Sequence, residues 1–225
     1  MFNQKYIILF IDRARIQLYG GGISGIVTID IPDTIMRDID ILGKEDLYTF
    51  IKKCAKQYMM RGAQLIIVLS QATCFEKLFD LPDTPQTEGE VLKFFDSVPY
   101  ESIWTKVYLT QKGKRAVAVN KELYEVFHQG FMLQGIPTKA IIPACVLGQV
   151  GVKHALDKQM ADYIFGNVES LSKQSILDTH RTATSASPER ETEPKNKQKS
   201  NVPVLVGVFG ALILVLIVVL VIQMG

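Results

Sequence analysis

The stretch Tyr6–Ile31, YIILFIDRARIQLYGGGISGIVTIDI, decides the fold. Tyr6 to Ile11 is a run of β-branched and aromatic residues, which is the composition of a strand. Asp12-Arg13-Ala14-Arg15 interrupts it as a tight turn. Ile16-Gln17-Leu18-Tyr19 then alternates apolar with polar side chains, the two-residue period of a half-buried strand. Gly20-Gly21-Gly22 and Ser24-Gly25 supply another turn, Ile26 to Ile31 alternates again, and Pro32 stops it. Three consecutive antiparallel strands are therefore expected.

Beyond them the period changes. From Lys44, Leu47, Phe50, Ile51, Cys54, Ala55 and Tyr58 recur at helical spacing, with Gly62 as the stop. Gln64 to Leu69 is continuously apolar, and a strand entered through a crossover helix is expected to be parallel and buried. Thr84 to Thr87 reads as a loop, Gly89 to Ser97 as a short helix ended by Pro99, and Trp104 to Thr110 with Arg115 to Val119 as a hairpin. Lys121 to Gln134 carries Leu123, Val126, Phe127, Phe131 and Leu133 on one helical face and is closed by Gly135. Thr138 to Ile142 is one more strand before Pro143, and Ala144 to about Leu177 is largely helical.

Composition narrows the function. Over 225 residues the formal net charge is +2, and no basic stripe is interleaved with aromatics, so phosphate-driven binding of nucleic acid is not expected. Cys54, Cys74 and Cys145 are odd in number and far apart, which fits reduced thiols better than a disulfide framework. His128, His154 and His180 are isolated, so local sequence assembles neither a metal site nor a catalytic cluster. Asp38 with Asp40, and Glu88 with Glu90, read as solvated acids or partners of helix N-termini.

The chain's other end fixes where it is expected to work. Residues 178–201 mix Thr, Ser, Pro, Glu and Lys with almost no apolar side chains, a composition too polar to offset the entropy of ordering it, and read as a flexible tether. Val202 to Ile222 is uncharged and apolar throughout, long enough for the roughly 20 residues that a helix needs to span a bilayer core. Lys195, Lys197 and Lys199 flank it on the N-terminal side, which by the positive-inside bias keeps the head in the cytoplasm. No signal peptide is read at the N-terminus. A single-pass protein of the cell's inner or plasma membrane, in contact with the lipid bilayer, is the expectation.

Phe10-Ile11-Asp12 followed by Ile16-Gln17-Leu18, Ile67-Val68-Leu69-Ser70 before Leu81-Pro82, Val98-Pro99-Tyr100-Glu101, and above all Ala116 to Leu123 with Gly135-Ile136 and Ile141-Ile142-Pro143 carry a resemblance. Over roughly Met1 to Gly166 the chain resembles PilM-type actin-like pilus-assembly proteins and the cytoplasmic domain of the type II secretion L protein. The resemblance implies an α/β fold, the first half of a ribonuclease-H/actin-like architecture. That half has a three-stranded antiparallel start, a helix and a parallel strand, with a small inserted β-β-α-β subdomain at about residues 98–143. Head, tether and transmembrane helix are expected over residues 1–177, 178–201 and 202–222.

Two departures from the family bear on function. Its first hairpin is an Asp-x-Gly-type loop whose small residues let backbone amides approach a nucleotide phosphate, whereas Arg13, Ala14 and Arg15 follow Asp12 here. Arginine can pair with phosphate directly, so Asp12, Arg13 and Arg15 form the candidate anion site of an alternative reading, although a solvated charged tip is the plainer one. Moreover, the family's nucleotide clamp needs a second half, in whose place this chain carries tether and anchor. Neither catalysis nor a cofactor is expected, since one open lobe neither positions reacting groups nor excludes water.

The resemblance keeps the region that, in the family, receives a short peptide of a bitopic membrane partner between core and inserted subdomain. The expected function is a non-enzymatic, membrane-tethered adaptor of a type IV pilus or related secretion platform. Its expected partner is a PilN-like inner-membrane subunit or a cytoplasmic motor ATPase, and self-association is a further option. Phe75, Phe79, Tyr100, Trp104, Tyr108 and Phe127 are the candidate groove residues, because aromatic side chains supply binding energy at low entropic cost. Ordinary core packing competes for each, most strongly for Phe127. Two alternatives stand beside this reading: a nucleotide-binding ATPase or phosphotransfer protein completed by dimerisation, and a tail-anchored interaction protein unrelated to pili.

Overall fold

The structure, a computed structural model, describes residues 5–80, 85–110 and 113–178. The tether, the apolar run Val202–Ile222 and the Leu81-Pro82 exit lie outside the described residues. Among the described residues no helix is long and apolar enough to cross a membrane.

The opening stretch folds as its periods dictate. Strands β1 (Tyr6–Asp12), β2 (Arg15–Gly20) and β3 (Ile23–Asp30) form an antiparallel meander, with Asp12 opposite Arg15 across the first turn. A short hairpin follows, β4 (Met36–Arg37) with β5 (Asp40–Ile41), and then helix α1 (Lys44–Gln57). Strand β6 (Gln64–Leu69) enters parallel to β1 on the side away from β2.

β1 is buried on both faces, and its side chains divide by parity. Ile7, Leu9 and Ile11 join Leu65, Ile67 and Leu69 in one apolar cluster, while Tyr6, Ile8 and Phe10 join Ile66 and Val68 in another. Two-sided burial of this kind requires a covering layer on each face. Helices α1 and α3 (Lys121–Met132) supply one; α4 (Lys158–Gly166) and α5 (Val168–Lys173) supply the other. The chain between Ala144 and Val152 is 3-10 rather than α-helical and breaks at Gly148, whose φ of 63° is left-handed.

The inserted subdomain differs from expectation. Thr138–Pro143, expected to close it, is instead strand β10 of the main sheet, parallel to β6, giving the order β10-β6-β1-β2-β3. Helix α3 likewise packs on α1. The physical reason lies in Ala140, Ile141 and Ile142, which are all buried and contribute to both apolar clusters, the pattern of a central parallel strand entered through a crossover helix. The inserted sheet is β7 (Cys74–Phe79), β9 (Gly113–Asn120) and β8 (Ile103–Thr110), in the spatial order β7-β9-β8, with helix α2 (Pro85–Asp96) laid on it through Phe79, Val91, Phe94 and Phe95.

Helices α1 and α3 run side by side in the same direction: Lys44 pairs with Glu122 at 2.7 Å, the Tyr48 hydroxyl donates to Gln129 at 3.1 Å, and Ile51 lies against Gly130. A Cβ at Gly130 would sit 2.6 Å from Ile51 Cδ1, so glycine sets how closely the helices approach. Asn120 caps α3 by accepting from the Glu122 amide at 3.0 Å.

His128 of α3 meets Thr138 of β10 at 2.9 Å, and burial lowers its pKa against a smaller opposing effect of Glu125. A histidine whose folded pKa lies below its unfolded value stabilises the fold in its neutral form. That contribution is complete above the unfolded pKa of about 6.5 and fades as pH falls below it. Acidification from about pH 7 to about pH 5 is therefore expected to lower the denaturant midpoint of the native protein more than that of a His128→Gln variant. Equal shifts would show that His128 is not responsible.

Candidate partner groove

A groove of about 520 Å³ runs between core and inserted elements. On one side stand Asp40 of β5 with Lys44 and Tyr48 of α1; on the other stand Pro99 to Ser102 leading into β8, and the outward stripe of α3 from Asn120 to Gln129. Helical spacing places Lys44 and Tyr48 one turn apart, and likewise Lys121 and Glu125. The lining is acidic in balance. Lys44 is engaged by Glu122, which raises the lysine's pKa through their hydrogen bond, and Lys121 sits 3.7 Å from Glu125. Asp40 and Glu101 are left without an ion-pair partner among the described residues. Burial, aided by the Asp40 and Asp38 carboxylates, pushes the Tyr100 phenol up.

Two of the six candidate aromatics come together here. Tyr100 lines the groove, and Phe75 meets its ring edge-on at 5.5 Å between centroids. The other four lie elsewhere. Trp104 stacks on Tyr124 at 4.0 Å in the main core, and Phe127 is fully buried there. Phe79 packs beneath α2 with Phe94, 6.3 Å between ring centroids. Tyr108 donates its hydroxyl to the Gln174 carbonyl at 3.0 Å, and burial raises its pKa. The groove residues not anticipated, Lys44, Tyr48, Lys121, Glu122, Glu125 and Gln129, were visible only as the polar faces of two helices.

The candidate anion site is committed to its own chain. The Ser70 hydroxyl donates to Asp12 Oδ1 at 2.7 Å, Arg13 lies 3.3 Å from Asp38, and Arg15 donates to Asp30 at 2.8 Å. Arg13 holds a φ of 52° where a tight hairpin usually places glycine or asparagine. Among the described residues no group of three or more His, Cys, Asp or Glu is arranged to hold a metal ion. The three cysteines are unpaired thiols; burial pushes Cys54 up to about 11 and Cys145 up to about 12, far from a reactive thiolate.

No family model and no curated protein matches the chain. Solved structures do. A PilM–PilN type IV pilus biogenesis complex is similar over 67% of this chain and 50% of that one, at 14% identity and a TM-score of 0.48. The cytoplasmic domain of EpsL, an inner-membrane component of the Vibrio cholerae type II secretion system, is similar over 63% and 58%, at 10% identity and a TM-score of 0.39. A Bacteroides thetaiotaomicron protein of unknown function with an actin-like ATPase fold is similar over 65% and 54%, at 10% identity and a TM-score of 0.35. The likeness is one of fold. This chain spans between half and three-fifths of the length of the three.

Proposed function

We propose that this chain is a membrane-tethered, non-catalytic adaptor of a type IV pilus or related secretion platform, and that its groove holds a peptide segment of a PilN-like subunit. The observation that supports this most is the groove itself. It is walled by both core and inserted elements, like the region that receives a partner peptide in the family the chain resembles. Its acidic balance favours a peptide bearing positive charge, with Tyr100 and Phe75 as the aromatic surface against which an apolar side chain packs. Val202–Ile222 is the proposed transmembrane anchor, joined to the head by the tether of residues 178–201. Nucleotide binding finds less support, because Arg13 and Arg15 face carboxylates of their own chain.

The test is an affinity capture of the full chain from detergent-solubilised membranes, beside a version lacking the residues after Asn201. Recovery of platform subunits by both versions supports recognition by the head. Their absence from both sinks the adaptor reading, and magnesium-dependent ATP binding by the isolated protein would favour the nucleotide alternative.

A further inference from the structure

At the opposite end of the α1–α3 pair the surface has a different chemistry. A cavity of about 630 Å³ opens where the two helices end together, framed by Lys52, Lys56 and Arg61, and no acidic residue lines it. Out of its rim project Met59 and Leu133, 83% and 73% exposed, with Met132 beside them at 55%. Neither Leu47 to Phe75 nor Val126 to Pro143 contains an Asp or Glu, so the positive potential is not cancelled locally. The three framing cations make no ion pair among the described residues. Met59 also holds a φ of 47°, a left-handed backbone that is unfavourable for a residue with a Cβ. The fold thus keeps a long apolar side chain in water, on a costly backbone, inside a ring of cations.

We propose that this end of the head docks on anionic lipid, with Met59, Met132 and Leu133 entering the boundary between headgroups and acyl chains and Lys52, Lys56 and Arg61 meeting the phosphates. Separate flexible tips around a cationic ring suit a bilayer surface, which accommodates projections one at a time, better than a protein surface, which needs a matching shape. A spanning segment in the same chain would hold the head at high effective lipid concentration, so a contact too weak for a free protein is occupied here. To that extent the proposal rests on the tether reading. Since α1 rises about 21 Å over its length, a head seated on this end leaves the partner groove clear of the membrane.

The full chain is reconstituted with vesicles of phosphatidylcholine alone or mixed with phosphatidylglycerol, and amide exchange is followed over residues 52–62 and 131–136. Exchange is expected to slow about tenfold with phosphatidylglycerol and not without it, given roughly fivefold in affinity per cation near an anionic surface. The Lys52→Gln, Lys56→Gln, Arg61→Gln variant is expected to lose the difference with its circular dichroism unchanged. Equal exchange in both vesicles overturns the docking face. Flotation after an alkaline wash reports the tether separately. Lipid-dependent protection without wash-resistant flotation sinks the tether alone, and wash-resistant flotation without protection sinks the docking face alone.

Discussion

Phe127→Ala is expected to cost about 3–5 kcal/mol of folding stability. The ring is fully buried in the larger apolar cluster, on the face of α3 that packs toward α1 and the central sheet. Its removal forfeits the transfer free energy of the ring and leaves a cavity that the packed neighbours fill only in part. In a denaturant titration the midpoint should fall with an unchanged slope, because the surface exposed on unfolding is nearly the same. Phe127 was a candidate partner contact, so the alternative result is informative. A stability loss below about 1 kcal/mol together with lost partner capture would return the residue to the groove.

Tyr100→Ala is expected to do the reverse. Tyr100 is half-buried at the groove wall and its ring meets Phe75 edge-on, an interaction whose loss costs the fold only about 0.5–1.5 kcal/mol. As the aromatic anchor of the groove it is expected to carry about 2 kcal/mol or more of partner binding, roughly a thirtyfold or greater loss of affinity. Titrating the variant with a cationic N-terminal peptide of the platform subunit reads this directly. Reversing Glu101 to lysine should weaken the same peptide further and make its binding less sensitive to salt. Unaltered affinity in both variants would place the peptide elsewhere.

Four strands of the main sheet were legible in composition: β1 and β6 as continuous apolar runs, β2 and β3 as alternating residues separated by glycine, although in β2 Gln17 is buried along with Ile16 and Leu18. The inserted sheet was only half legible. β7 carries Glu76 and Lys77 in its middle and exposes most of its length, so neither a two-residue nor a 3.6-residue period marks it. The sheet that Thr138–Pro143 joins depends on where a crossover helix lands, which local spacing does not encode. The groove followed the same logic. Of the aromatic residues chosen by type, Tyr100 lines the groove and Phe75 touches its ring, whereas the apolar bulk of Phe127, Phe79 and Trp104 is spent on packing. The polar stripes of α1 and α3 become a groove only once the two helices lie side by side.

The last described turn holds the two sheets together. The Ile141 amide of β10 donates to the Ser175 hydroxyl at 3.0 Å, while from β8 Lys106 donates to the Ser175 carbonyl at 2.6 Å and Tyr108 to that of Gln174 at 3.0 Å. Gln174 and Ser175 immediately precede the last described residues, Ile176–Asp178, so a load applied to the chain beyond them would meet these three bonds first. Such a load would be divided between the central sheet and β8, the strand that begins where the groove's Pro99–Ser102 lip ends. If the chain works as proposed, a pull on its tail would reach the lip of the groove, and partner retention would depend on force.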